Sequence, residues 1–244
     1  MSITVKLWLG LRATVFWLGF LVSTIVYGGI TPLLALISYE KRYQILVGWC
    51  RFNVWWLGLT CGVHYEVKGL DNIPTDHAAI LMANHQSTWE TLAFATIFPP
   101  LTWVLKQELM KVPFFGWGLR LIKPVAIDRS AGRGAVDQVK NQGKERLDEG
   151  IWLVVFPEGT RVQPGVKAKY KIGGAVMAVG SEYPVVPVAH NAGYSWPRHS
   201  YIKKPGTITV VIGEPIPTLG KQPEVLMQEV ETWIETEKAK LVFH

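Results

Sequence analysis

From Ala13 to Tyr39 the chain runs 27 residues without a charged side chain. About 20 apolar residues suffice for a helix to cross a bilayer, so this run is long enough. Lys6 and Arg12 precede it; Glu40, Lys41 and Arg42 close it. A second apolar stretch, residues 43–63, is broken only by Arg51. Gly28, Gly29 and Pro32, in the second half of the first run, argue against one uninterrupted straight helix. The pattern predicts an N-terminal hydrophobic helical hairpin, partly immersed in lipid, with tryptophan at the headgroup level. Trp8, Trp17, Trp49, Trp55 and Trp56, five of the 11 tryptophans, fall in the first 56 residues. A cleaved secretory leader and the buried hairpin of a soluble protein compete with that reading. The run is too long for a leader, and no small-residue cleavage pattern follows it clearly. Basic residues flank both sides, so the orientation rule decides little.

The remaining composition fits a globular domain carrying such an appendage. Charged residues make up 18% of the chain, against a usual share of about 25%, and 49% of residues are hydrophobic, which excludes disordered and collagen-like chains. Mean hydropathy of +0.18 is high for a soluble domain and low for a polytopic membrane protein. At about 150 residues per domain, 244 residues make one domain and a half. The division expected is a membrane-associating helical segment at 1–62 and a globular domain at 63–244. Cys50 and Cys61 are too few for a disulfide framework or a four-thiolate zinc site, and each reads as a buried, inert thiol. Net charge is +6 and the pI about 9.3, so an anionic partner is expected. The charge is spread, with net +4 in residues 1–70, net +4 in 71–220 and net −2 in 221–244. No basic stripe with interleaved aromatics stands out, which argues against nucleic acid.

Beyond residue 62 short apolar runs alternate with helical patterns. Strands are expected at 63–67, 78–83, 101–105, 125–127, 151–156, 185–190 and 207–212. Helices are expected at 87–97, 114–122, 134–149, 173–181 and 223–242. The alternation predicts an α/β fold, a mixed, mostly parallel sheet flanked by helices. The glutamates of the last helix read as a solvated face.

Four segments could carry chemistry. Asn84-His85-Gln86-Ser87-Thr88-Trp89-Glu90 follows a strand and opens a helix, where open α/β sheets place their ligand sites. Within one helix, His85 and Glu90 would lie about 140° apart. They meet only if His85 sits in the turn ahead of the helix and Glu90 in its first turn. Ser87 to Glu90 also matches the S/T-x-x-E capping box, a purely structural use of the same residues. The chemical reading is a dyad in which the carboxylate fixes the imidazole tautomer and stabilises the imidazolium. Phe156-Pro157-Glu158-Gly159-Thr160-Arg161 follows a very hydrophobic strand. Gly159 permits a tight loop, and Arg161 can hold a phosphate or carboxylate bidentately. A Glu158–Arg161 ion pair is the plainer alternative. In the third segment, residues 106–117, Lys106 and Lys111 face an anion or solvent, and Phe114, Phe115 and Trp117 line a channel or join the core. In the fourth, Pro187 suggests an edge strand or a bulge, and His190 reads as structural. G-x-x-x-x-G-K-[ST], H-E-x-x-H, G-x-S-x-G and G-x-G-x-x-G are all absent. Neither cysteine has a neighbouring histidine. The chemistry left is metal-free general-base catalysis with the substrate as nucleophile.

Together the four segments resemble the glycerolipid acyltransferase family. The resemblance covers residues 60–215 and the hydrophobic N-terminal extension. His85 and Glu90 resemble the family's His-x4-Asp motif, with Glu for the usual Asp; Phe156 to Arg161 matches F-P-E-G-T-R; residues 106–116 and 186–188 resemble the two other blocks. The resemblance implies transfer of an acyl chain from a thioester donor, acyl-CoA or acyl-carrier protein, to the sn-2 hydroxyl of lysophosphatidate. The product would be phosphatidic acid, a phospholipid precursor. It implies His85 as general base, Glu90 as its orienting carboxylate, and Glu158, Gly159, Thr160 and Arg161 as acceptor-binding residues, with Lys106 as a further phosphate contact. No metal or cofactor is implied beyond the thioester co-substrate. The partners are membrane lipids, on the cytoplasmic face and, in a bacterium, the inner membrane. Glycerol-3-phosphate or another lysolipid as acceptor, and a non-catalytic lipid-binding module, are the alternative readings.

Overall fold

A computed structural model describes residues 2–127 and 133–241. Two long helices open it, α1 (Ile3–Gly29) and α3 (Tyr39–Cys61), joined by the short helix α2 (Thr31–Leu34). Pro32 stands in the first turn of α2, where its missing N–H costs nothing. Helices α1 and α3 lie side by side as the expected hairpin. Gly62, at φ 67°, ends α3 in the left-handed conformation that glycine adopts without strain.

Seven strands follow: β1 (Val63–Lys68), β2 (Ile80–Ala83), β3 (Leu101–Lys106), β4 (Val125–Ile127), β5 (Trp152–Val155), β6 (Val185–His190) and β7 (Gly206–Ile212). They form one sheet in the order β1-β7-β6-β2-β5-β3-β4. Every pairing is parallel except β6 with β7. Strands β2, β5 and β6 are buried at every residue, which is why they read as unbroken apolar runs.

The helices after the hairpin are α4 (Trp89–Ile97), α5 (Phe115–Leu121), α6 (Arg133–Asp148), α7 (Gly173–Ser181), α8 (Ala192–Ser195) and α9 (Pro223–Lys240). Alternation along the strands separates them into two layers. Val155 and Met82 face α7, where a methyl group at Gly174 would touch both. Trp152 faces the other way and meets Phe98, at the end of α4. Helix α7 contacts both α6 and α9; α1, α3, α4 and α5 form the second group.

Several expectations are corrected. Strand β6 is interior despite Pro187. The bulge alternative holds instead: the register slips by one residue between Val188–Ile212 and Val185–Ile216, so Pro187 sits opposite an extra residue of segment 213–215, its carbonyl accepting the Gly213 N–H. Helix α4 starts at Trp89 with Thr88 as its cap, two residues later than expected, because Ser87 is drawn into the preceding turn. The strand expected from residue 78 starts at Ile80. Phe114, Phe115 and Trp117 are not part of the buried core: Phe115 meets Trp49 of α3, Phe114 lies against Gly28 of α1, and Trp117 is exposed. The last helix ends at Lys240, and Val242, its expected end, lies outside the described residues.

The hairpin has two apolar faces. Leu9, Ala13 and Phe16 of α1, and Tyr43, Val47, Leu57 and Cys61 of α3, are buried. Ile3, Leu7, Leu11, Leu18, Val22 and Ile25 are exposed along the opposite side of α1. Among the described residues α1 is the one helix long and apolar enough to cross a membrane. The buried face joins the core of the sheet domain. Tyr43 Oη accepts the N–H of Leu101, the first residue of β3, at 2.9 Å inside that core. Tyr43→Phe leaves this strand N–H unpaired and should cost about 1–3 kcal/mol. Denaturant titration of the detergent-solubilised variant against the native protein measures it; an unchanged midpoint would refute the anchoring role.

Candidate active site

The parallel strands β2, β5 and β3 end at one edge of the sheet, and the sequence-predicted site residues emerge there. Asn84 follows β2 and is fully buried. Its amide is paired with the backbone of His190 at the end of β6, both bonds at 2.9 Å, and this ties the two strand ends together. His190 Nε2 donates to the Asn84 carbonyl at 2.7 Å, and Nδ1 accepts from Ala192 N–H. Both ring nitrogens are thereby used in the neutral form, and burial lowers the His190 pKa. His190 is structural, as expected.

His85 is held from four sides. Its N–H donates to Glu158 Oε2 at 2.8 Å, and its carbonyl accepts from Val162 N–H at 2.7 Å. Its ring stacks on Phe156 with centroids 4.0 Å apart. Nδ1 lies 2.8 Å from Glu90 Oε1. The side chain is 15% exposed, and Nε2 has no hydrogen bond among the described residues. The imidazole is thus fixed at one nitrogen and open at the other.

Glu90 is fully buried. Its Oε1 also accepts the N–H groups of Gln86, at 2.9 Å, and Ser87, at 2.7 Å. Burial pushes the carboxyl upward; the imidazoles of His190 and His85 and the Ser87 N–H outweigh it and hold the carboxyl below its ordinary value. Dyad and helix cap, alternatives at the level of sequence, share this oxygen. The longer glutamate side chain reaches His85 without loss of geometry.

In the second loop the expected Glu158–Arg161 ion pair is not among those of the described residues. Glu158 instead turns inward onto the His85 N–H and is buried. Burial raises its carboxyl to about 7, reinforced by Glu235 and Glu90 and opposed by the His85 N–H and Lys238. Gly159 has φ 68°, and a side chain there would strike the Lys171 ammonium. Thr160 is exposed, and Arg161 is half-buried beside it. Lys106 is exposed at the end of β3 and makes no hydrogen bond or ion pair with the other site residues. Phe156, the ring under His85, and Gln86, accepting Gly193 N–H, stand in two of the four segments without an expected role, and Arg198, donating to the Arg161 carbonyl, lies outside all four. Among the described residues no three His, Cys, Asp or Glu side chains gather as a metal site requires.

A family model described as Acyltransferase matches residues 64–191, a span that contains both loops and the dyad. The chain belongs to the acyltransferase family. A Pseudomonas aeruginosa protein named 1-acyl-sn-glycerol-3-phosphate acyltransferase is 42% identical over 236 residues, which cover 95% of this chain and 91% of that protein. A Saccharomyces cerevisiae protein of the same name is 32% identical over 201 residues, covering 79% of this chain and 64% of the relative. The crystal structure of the 1-acyl-sn-glycerophosphate (LPA) acyltransferase PlsC from Thermotoga maritima matches with a TM-score of 0.78 at 27% identity, over 94% of both chains. The resemblance read from the four segments is therefore correct at family level.

The raised Glu158 carboxyl of this acyltransferase has a signature in stability. The folded state binds its proton more tightly than the unfolded chain, whose carboxyl titrates near 4.5. Its contribution is complete below that value and is lost as pH rises toward about 7. Glu158→Gln keeps an acceptor for the His85 N–H but cannot ionise. The thermal midpoint of the variant relative to the native protein should climb across that window and level off above it. A difference that stays flat with pH would show that Glu158 is not held protonated.

Proposed function

We propose that this acyltransferase moves an acyl chain from a thioester donor to the sn-2 hydroxyl of 1-acyl-glycerol-3-phosphate, producing phosphatidic acid. The observation that carries the reading is the 2.8 Å His85–Glu90 bond with Nε2 left open at the strand edge. The names of the Pseudomonas aeruginosa and Saccharomyces cerevisiae relatives support the choice of acceptor. His85 Nε2 removes the proton of the hydroxyl as its oxygen attacks the thioester carbonyl. The C–O bond forms and the C–S bond breaks. The imidazolium returns its proton to the departing sulfur, which leaves as the thiol of coenzyme A or of the carrier protein. Glu90 keeps the proton on Nδ1 and stabilises the transient positive charge. The thioester supplies the activation, so no acyl-enzyme, metal or cofactor enters.

Arg161 meets the acceptor's phosphate, Gly159 and Thr160 line its approach, and Lys106 is a further cation at the same edge. Glu158 accepts the His85 N–H through Oε2 and so supports the acceptor site from beneath that residue. The hydrophobic substrate and product are reached from the membrane. The exposed face of α1 enters one leaflet, because the helix also touches the domain near Phe16 and again at Gly28. The cytoplasmic face is the side on which acyl thioesters are made.

Thiol release by the purified protein in lipid vesicles tests the reading. Lysophosphatidate, glycerol-3-phosphate and a choline lysolipid are offered in turn with acyl-CoA and with acyl-carrier protein. Lysophosphatidate should be the preferred acceptor, and His85→Ala should lose about 10²–10⁴ in rate. Arg161→Ala should act mainly on the KM for lysophosphatidate. Near-native release by His85→Ala would remove the general-base assignment; preference for another acceptor would replace the substrate.

A further inference from the structure

Residues 196–205, between α8 and β7, form a strap that no step above uses. At its centre is Lys203, 1% exposed and without a carboxylate partner among the described ion pairs. Its ammonium donates to the carbonyls of Ser200, at 3.0 Å, and Tyr201, at 2.8 Å. Three rings surround it, with centroids 4.4 Å away for Trp17, 4.7 Å for Trp196 and 5.7 Å for Phe16. Two of these rings belong to α1, the lipid-facing helix. The strap is tied to α1 twice more: Trp17 Nε1 donates to the Tyr201 carbonyl at 3.1 Å, and Tyr201 Oη donates to Thr14 Oγ1 at 2.8 Å. Near the strap's other end Arg198 Nη1 donates to the carbonyl of Arg161 at 3.1 Å. Arg198 Nε is directed by His199 Nε2 at 2.9 Å, and His199 sits at φ 59°, strained for a non-glycine residue.

A buried ammonium is expensive, and for stability alone a methionine of similar length would serve better. Burial draws Lys203 down to about 8, so the fold bears that cost. In return the two carbonyls, turned inward, are satisfied, and the strap has one conformation against α1. We propose that Lys203 and Arg198 are positioning residues that hold the Arg161 loop in register with the membrane helix, so that the acceptor's phosphate is met where its acyl chain leaves the lipid. Contacts run from the α1 rings to Lys203 and on to the Ser200 and Tyr201 carbonyls; two peptide bonds back along the strap lies Arg198, which donates to Arg161. This rests on the reading of Arg161 as the phosphate-holding residue.

The test is steady-state kinetics on lysophosphatidate in anionic phospholipid vesicles, with the full chain. Lys203→Met and Arg198→Gln should each raise the acceptor KM about three- to tenfold and leave kcat within twofold. Lys203→Arg, which keeps the charge, should recover part of the loss. Arg161→Ala/Arg198→Gln should be no worse than Arg161→Ala alone, since Arg198 acts through Arg161. Arg198 is exposed, so its variant reports even where Lys203→Met fails to fold. An unchanged KM in Arg198→Gln, with KM raised in Arg161→Ala, would overturn the strap while leaving the phosphate reading intact. Full additivity of the two arginine changes would also overturn it, because Arg198 would then touch the substrate itself. An unchanged KM in Arg161→Ala would instead sink the phosphate reading on which the strap depends.

Discussion

One carboxylate oxygen, Glu90 Oε1, takes the ring of His85 and the backbone N–H groups of Gln86 and Ser87. Those three donors come from consecutive residues, so the oxygen winds the chain around itself as it leaves β2. The turn it creates is the one geometry in which a histidine five residues ahead of a glutamate can face it. Structure and chemistry are therefore not rival uses of the segment. The hydrogen bonds that start the helix also aim the imidazole, and the low dielectric around a fully buried carboxylate strengthens both.

Around that hub the sheet does the assembling. Because β2, β3 and β5 run parallel, residues separated by more than 70 positions emerge together, and the loop after β5 closes on His85 through Glu158, Val162 and Phe156. The two sequence motifs are halves of one support. One provides the imidazole and its carboxylate, and the other grips the same residue by its main chain and the face of its ring.

The strands were legible because burial on both faces leaves unbroken apolar runs, as in 151–156 and 185–190. The helix pattern was legible through turns and periodicity. What could not be read depended on partners distant in the chain. Pro187 suggested an edge or a bulge, and only the pairing of β6 with residues 212–216 shows it to be a bulge inside the sheet. Glu158 and Arg161 looked like an ion pair at short spacing, yet a backbone N–H more than 70 residues away claims the glutamate. Aromatic residues at 114–117 gave no hint that they meet a hairpin whose seat on the domain is itself a tertiary fact. Arg198 and Lys203 carried no local pattern, since their meaning lies in a carbonyl of another loop and in rings of the first helix.

The arithmetic of the chain suggested a domain with an attachment, and the buried face of the hairpin gives that attachment a second character. Phe16, Tyr43, Val47 and Leu57 belong to the same continuous core as β2 and β5. Cutting the chain near residue 62 to obtain a soluble catalytic fragment would strip one wall from that core and bare the α4 side of the sheet to water. The enzyme cannot be separated from its greasy end by shortening it. Any preparation that keeps the fold must also keep the exposed apolar face of α1.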